Sequence, residues 1–329
     1  MNRKVLITGG AGYIGSHLCK RLAAEGWEPV TFDNLSTGNA WAVRWGPLCQ
    51  GDLLDETALA EAFETHRPAA VMHLAALSSV AGSMQDPELY YRVNLQGTIN
   101  LLAAMRRAEV RQVIFSSTAS VYGAPQRTPI PEGHPLHPIN PYGNSKLMAE
   151  RLLFDFERSH GIASVSLRFF NAAGADGAGE LGEQRSGETH LIPLALEVAL
   201  GRRAALDLFG RDYRTPDGSC IRDYVHVEDI AAAHIRALDY LRRGGLGIAL
   251  NLGSDAGFSV LEVIEGLRRI TGAKIPLVER PRRAGDPDEL VSDSSAAREI
   301  LGWRPERSDL DSILGSAWAW AKSRSAAVS

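Results

Sequence analysis

The stretch LITGGAGYIGSHL, residues 6–18, limits the fold of this chain more than any other. An apolar run ends at Thr8, glycines follow at 10, 12 and 15, and an amphipathic segment begins at once. That strand–turn–helix setting raises G-x-G-x-x-G above a chance cluster. In it the glycines permit a tight turn, close backbone approach to a pyrophosphate and close helix packing, while the helix N-terminus favours negative charge. Asp33 ends the next apolar run, 18 residues beyond Gly15. A carboxylate there accepts hydrogen bonds from the adenosine ribose hydroxyls and repels a 2′-phosphate, so the pattern predicts NAD rather than NADP. The bland alternative is a glycine turn with no ligand and a solvated Asp33.

The rest of the first half repeats the alternation. KVLITG, EPVTFD, AAVMHLAA, QVIFSST and ASVSLRFFN have the continuous apolar character of strands buried on both faces, and amphipathic runs separate them. The expected fold is α/β: a Rossmann-type doubly wound parallel sheet with a smaller mixed α/β C-terminal substrate domain. Texture changes at Asn171, where the glycine-rich NAAGADGAGELGEQRSGE runs to Glu188. The expected division is a nucleotide-binding domain over 1–171, rejoined by 226–252, and a substrate domain over 172–225 and 253–329.

A second cluster lies at NPYGNSK, residues 140–146. Asn140 suits an N-cap and Pro141 a first helical position, and helical periodicity runs to about Ser159. Tyr142 and Lys146 then share one helix face. The chain has only five lysines, although a solvated surface pair would read the same way locally. Beside a nicotinamide cofactor the pair changes meaning. A nearby ammonium and the positive ring both favour a phenolate, making Tyr142 a plausible general base with Lys146 its electrostatic partner and ribose anchor. Thr118, in the hydroxyl run FSSTASVYG, is placed to complete a hydrogen-bond triad with a substrate alcohol.

Composition excludes several classes. A net charge of −4 and a pI near 6.2 argue against a general nucleic-acid binder. Cys19, Cys49 and Cys220 are odd in number and widely spaced, so neither a disulfide framework nor a zinc site is expected, and no other metal is called for. No apolar run approaches membrane-spanning length, and the chain enters KVLITGG without a signal-like segment; a cytoplasmic protein is expected.

With FDNLSTGN, GDLLD, MHLAALSSV, LRFFNAAGA, FGRDYRTPDGSCIRDYVHVEDI, NLGS, RRAGDP and LGWRPE added to the two motifs, the chain resembles the extended short-chain dehydrogenase/reductases over nearly its whole length. Within them it is most similar to the UDP-glucose 4-epimerase family. The resemblance implies tightly bound NAD and reversible epimerisation at C4 of UDP-glucose and UDP-galactose through a 4-keto sugar, without net redox change. It implies Tyr142, Lys146 and Thr118 as the catalytic set. Gly9, Gly10, Gly12, Tyr13, Ile14 and Gly15 would cradle the cofactor, Asp33 and Asn34 its adenosine ribose, and Asp52 and Leu53 its adenine. Leu74, Ala75, Ala76, Ser78 and Ser116 would line it, with Asn94 on the nicotinamide side. Asn171, His190, Leu191, Phe209, Arg222, Val260, Arg283, Asp286 and Leu290 would hold the UDP-sugar, the arginines on its diphosphate and Asp286 on its ribose.

Three positions depart from the family's pattern: Thr118 where serine is frequent, Ser78 where some members place a lysine near the cofactor diphosphate, and His190 where asparagine is usual. A 4,6-dehydratase would carry Asp-Glu directly after the threonine, and here Ala119 and Ser120 stand there. A noncatalytic dinucleotide sensor would tend to lose the tyrosine and lysine. Epimerisation of UDP-pentoses or UDP-uronic acids stays open as the nearest alternative. The amphipathic helices near 90–108 and 142–159 resemble those of the family's dimer, so a homodimer is expected.

Overall fold

The computed structural model describes residues 2–185, 187–283 and 286–326. Its strands are β1 (Lys4–Thr8), β2 (Glu28–Asp33), β3 (Leu48–Gln50), β4 (Ala70–His73), β5 (Gln112–Thr118), β6 (Ala163–Phe169), β7 (Asn171–Ala173), β8 (Leu206–Phe209), β9 (Ile221–His226), β10 (Ile248–Leu252), β11 (Gly257–Ser259), β12 (Leu277–Arg280) and β13 (Glu289–Leu290). The helices are α1 (Tyr13–Ala24), α2 (Glu56–His66), α3 (Val80–Gln85), α4 (Pro87–Tyr90), α5 (Gly97–Arg107), α6 (Pro141–His160), α7 (Leu191–Ala199), α8 (Val227–Arg242), α9 (Val260–Thr271), α10 (Ser295–Leu301) and α11 (Leu310–Ala326).

Seven parallel strands form the main sheet in the order β10-β6-β5-β4-β1-β2-β3. The chain winds outward from β1 to β3, crosses back to β4 and winds outward again. This is the doubly wound architecture that the apolar runs predict. The crossing between β1 and β4 leaves a crevice at the strand C-terminal ends, where such sheets hold ligands. Val5, Leu6, Ile7, Val71, Met72, Val113 and Ile114 are wholly buried because helices cover both faces. One face packs Leu18, Leu22, Ile230 and Leu238 of α1 and α8, and the other packs Leu59, Leu101, Leu102 and Leu153 of α2, α5 and α6.

Two features of this half differ from the sequence expectation. Three residues, LCQ, are too few for a readable pattern, and β3 was not foreseen. The stretch near 90–108 is not one helix: α4 passes through a π-helical turn at Tyr91–Gln96 before α5. The cause is local. Thr98 Oγ1 donates to the Asn94 carbonyl at 2.6 Å, and the Asn94 amide is drawn inward to Leu77 and Ser145. Such turns often sit beside functional sites.

The remaining elements build a smaller layer. β9 joins β11, β13 and β7, while β8 pairs with β12. Helices α7, α9 and α11 bury Ile192, Leu196, Ile264, Leu267, Ile313 and Leu314 against one another. Tyr13 at the start of α1 reaches this layer, donating to the Gly174 carbonyl at 2.6 Å.

Helix α6 starts as its sequence predicts, with Asn140 Oδ1 accepting from the Gly143 N–H at 2.8 Å and Pro141 at its first position. A buried ion pair fixes its rotation. Arg168 of β6 donates to both Glu150 carboxylate oxygens, at 3.0 and 2.6 Å, and to the Tyr122 hydroxyl at 3.0 Å, while Ser117 of β5 also donates to Glu150. Both charged side chains are under a tenth exposed. Glu150→Ala would strand a buried guanidinium, and we expect a loss of about 3–5 kcal/mol in urea unfolding. Replacing both charges together, as in Glu150→Met with Arg168→Met, should cost far less.

Candidate active site

The glycine turn is shaped by close approach. Gly9 has φ +73°, and a Cβ on it would meet the Ala75 amide nitrogen at 2.7 Å. One on Gly15 would strike the Gly9 carbonyl. Gly12 differs: an added Cβ would meet only the Gly9 oxygen, at 3.2 Å, so its outer side is open. Gly12 is the N-cap of α1, without a capping side chain and without an acidic residue in the first turn. Open backbone at an uncapped helix N-terminus fits a pyrophosphate. Asp33, at the end of β2, accepts from the Ala11 N–H at 3.0 Å and the Leu35 N–H at 2.8 Å. Burial nevertheless raises its carboxyl pKa, against those two bonds. Asn34 donates to Asp52 at 2.8 Å, while Leu53 is buried against Gly97.

On the other side of the crevice, Leu74 directly follows β4, and its N–H donates to the Thr8 carbonyl at 3.0 Å. Ala75 and Ala76 follow, partly buried. Tyr142 and Lys146 project from α6 beside the end of β5. Lys146 is buried; its ammonium donates to the Ser116 carbonyl at 2.8 Å and lies over the Phe115 ring at 4.7 Å. Burial pulls it down to about 7, against partial support from Glu150. The Ser116 hydroxyl is buried with no protein partner. An orphaned hydroxyl, an amine with spare donors and the open turn at Gly12 suit a large polar cofactor better than a packed core.

Thr118 is buried; its hydroxyl accepts from the Ser120 N–H at 3.1 Å and lies near enough to the Tyr142 phenol to favour its ionised form. The Tyr142 phenol is shifted by its surroundings. Its pKa lies above the usual value because burial dominates, while Thr118 and the charge of Arg185 act the other way. The lysine is turned to the Ser116 carbonyl and is not among the groups that lower the phenol.

The UDP-sugar candidates fall into two groups. Arg222 pairs with Asp286, Arg283 lies over the Phe209 ring at 4.2 Å, and Leu290 pairs in register with Arg222. Ala284 and Gly285 of the RRAGDP motif lie outside the described residues. Leu290 packs against the apolar cluster that includes Ala119, Tyr122, Leu147 and Phe170. Asn171 donates to the Asp223 carbonyl at 3.2 Å. Leu191 and Val260 begin α7 and α9 and share their apolar cluster. His190 caps α7 from a more exposed place, its Nδ1 2.8 Å from Glu183. Burial opposes its charge, but Glu183 and Glu188 outweigh that and raise it to about 9. Their ligand-type atoms lie within 4.8 Å of one another.

A sequence profile of the NAD dependent epimerase/dehydratase family matches residues 5–253. The chain belongs to this family. A relative named UDP-glucose 4-epimerase, from Rhizobium leguminosarum bv. trifolii, is 48% identical over 316 residues, which are 96% of each chain. The crystal structure of UDP-glucose 4-epimerase from Brucella ovis in complex with NAD is 49% identical, with a TM-score of 0.94 over 96% of this chain and 97% of that one. The UDP-glucose-4-epimerase of Stenotrophomonas maltophila, with bound NAD and formylated UDP-arabinopyranose, is 38% identical, with a TM-score of 0.95 over 99% of both chains.

Three residues expected at the ligands, Asn94, Arg222 and Asp286, are also engaged with protein groups. Asn94 uses its whole amide on protein: Oδ1 accepts from the Leu77 N–H at 2.8 Å, and Nδ2 donates to the Leu77 carbonyl and Ser145 Oγ, both at 3.0 Å. It positions the loop after β4 rather than offering a free group. Arg222 and Asp286 likewise satisfy each other. Arg185 and Glu183 were not foreseen, because their glycine-rich surroundings read only as loop.

The depressed Lys146 amine gives a pH signature. An unfolded lysine near 10.4 holds its proton between about pH 7 and 10 while the folded one sheds it. The burial penalty is therefore full below about pH 7 and fades as pH rises to about 10. Lys146→Met should stabilise the ligand-free protein most at pH 7 and below, and the difference in Tm from the unmodified protein should shrink toward pH 10.

Proposed function

We propose that this protein is an NAD-dependent UDP-glucose 4-epimerase, interconverting UDP-glucose and UDP-galactose. The observation that carries this is the juxtaposition of Thr118, Tyr142 and buried Lys146 with the open glycine turn in one crevice, on a chain 48% identical over 96% of its length to a UDP-glucose 4-epimerase. In this reading the cofactor is held by Gly9, Gly10, Gly12, Tyr13, Ile14 and Gly15, with Asp33 on the adenosine ribose. When bound, NAD supplies a reversible acceptor for the two electrons and hydrogen of the sugar C4–H bond. Tyr142 takes the proton of the 4-hydroxyl and later returns it. Thr118 orients that hydroxyl and hydrogen-bonds the phenolate. Lys146 supplies positive charge, and its own pKa rises when an anionic ligand enters.

Arg222, Arg283, Asp286 and Phe209 are read as holders of the UDP part, which requires the Arg222–Asp286 pair to rearrange. Asn171, His190, Leu191 and Val260 complete that side. A guanidinium fork suits diphosphate oxygens. Residues 172–225 and 253–329 serve as the substrate domain, and 1–171 with 226–252 as the cofactor domain. We also read the protein as cytoplasmic; among the described residues no helix is long and apolar enough to cross a membrane. The outer faces of α3 and α6 expose Val80, Met84, Met148 and Phe154, which supports pairing of two copies there.

Incubation with a panel of UDP-sugars and product analysis tests the reading; no turnover of UDP-glucose or UDP-galactose would refute it. Conversion of a UDP-pentose with the hexoses untouched would favour the pentose alternative, to which the arabinopyranose-bound neighbour gives some support. Tyr142→Phe should lower epimerisation by at least about 10²-fold while NAD stays bound. Leu290, packed against the cluster that includes Ala119, is read as a wall of the hexose pocket, and a leucine there discriminates only partly against N-acetylhexosamines. Leu290→Tyr should cut any activity on UDP-N-acetylglucosamine by about tenfold and spare UDP-glucose, read as kcat/KM for each.

A further inference from the structure

In the connection between β7 and α7, residues 183–185 meet the loops after β2 and β4 and helix α11. Asn39, in the loop after β2, donates to the Gln184 carbonyl at 3.1 Å. From α11, Trp320 Nε1 donates to the Glu183 carbonyl at 3.1 Å. Directly after these anchors Arg185 reaches across to the loop after β4, its Nη1 3.4 Å from Ser78 Oγ. Its Nε is held by Glu183 at 3.0 Å, and the same carboxylate oxygen meets His190.

The placement leaves the guanidinium loosely used. A contact of 3.4 Å to a neutral hydroxyl is long and weak for a guanidinium N–H. Glu183 occupies the Nε edge, and Nη1 meets the Ser78 hydroxyl of the loop after β4. The charge of Arg185 acts on two phenols on different elements, Tyr13 at the first position of α1 and Tyr142 on α6. It therefore lies within electrostatic reach of both the uncapped helix N-terminus and the catalytic tyrosine. That helix end offers backbone N–H groups, and its first turn carries no basic side chain. A dinucleotide brings two negative phosphates to this place, and backbone dipoles alone neutralise them only in part.

We propose that Arg185 is a cofactor-binding residue: it reaches across to the loop after β4 and holds the diphosphate of the bound dinucleotide, taking the place that a cation at position 78 would otherwise fill. This rests on the NAD-dependent reading above. The guanidinium exchanges its weak Ser78 contact for charge-assisted bonds to phosphate oxygen, and Glu183 keeps it aimed. Because Glu183 also holds His190, the cofactor-facing cation and the start of α7 on the substrate side share one anchor.

The test is NAD affinity, measured by titration of NAD-stripped protein and by the NAD that survives gel filtration. Arg185→Gln should raise the NAD Kd by about tenfold and flatten its salt dependence, since one charge-assisted contact is lost. Arg185→Lys should retain most of the affinity, and Ser78→Lys should restore it in the Arg185→Gln background. The UDP Kd should stay within about twofold. An unchanged NAD Kd in Arg185→Gln, or a loss confined to UDP, would overturn the inference while leaving the epimerase assignment intact. Failure of the unmodified protein to bind NAD at all would instead remove both.

Discussion

An amine that has lost its water governs the arrangement around this crevice. Lys146 is buried between the Phe115 ring and the Ser116 carbonyl, with one protein acceptor for a group that carries three donors. Such a group is tolerated only where the fold is held by other means or where a ligand completes it. Both conditions are met here. The Glu150–Arg168 pair, one turn further along α6, fixes the helix that carries the lysine, and the open turn at Gly12 leaves room for the group that would answer its charge. The raised Tyr142 phenol belongs to the same arrangement: burial holds proton and charge back until the site is filled.

The crevice divides stiffness unevenly. On the glycine side, backbone meets backbone at distances that forbid any Cβ at Gly9 or Gly15, and Asn94 pins the loop after β4 with every atom of its amide. On the opposite side the groups are long, charged and paired with one another, as in Arg222 with Asp286 or Arg283 over Phe209. A reaction in which the sugar must present both faces to one acceptor suits this contrast. A fixed floor preserves the geometry of transfer, while an adjustable roof grips the nucleotide and leaves the hexose freer.

How much of this was legible in the sequence depended on how far apart the cooperating residues lie. Gly10, Gly12 and Gly15 act within one turn, and Asn140, Pro141, Tyr142 and Lys146 within one helix start, so spacing alone carried their structural meaning. The continuous apolar runs likewise identified the doubly wound sheet. Spacing said nothing of the Arg168–Glu150 pair, the hub at Asn94 or the reach of Arg185 to Ser78, residues 107 apart. These depend on which strands lie side by side. The burial of the Tyr142 phenol was hidden for a related reason: spacing along one helix places lysine near it but says nothing of the packing that makes desolvation the largest effect on it, while the expected phenolate rests on the nicotinamide ring as well as on the lysine.

The buried histidines carry a last consequence. His73 bridges Thr8 Oγ1 at 2.7 Å and Thr98 Oγ1 at 2.9 Å, linking the glycine-loop strand to the start of α5, and burial holds it down to about 3. His17, His226 and His234, all buried, are held to about 4. Folded imidazoles that refuse protons above about pH 4 are accepted readily by the unfolded chain below about 6.5. Stability then falls as the medium acidifies through that window, with as many as four protons favouring the open chain. The linkage that keeps the crevice floor insensitive to pH near neutrality thus also sets an acid limit on where the protein can operate.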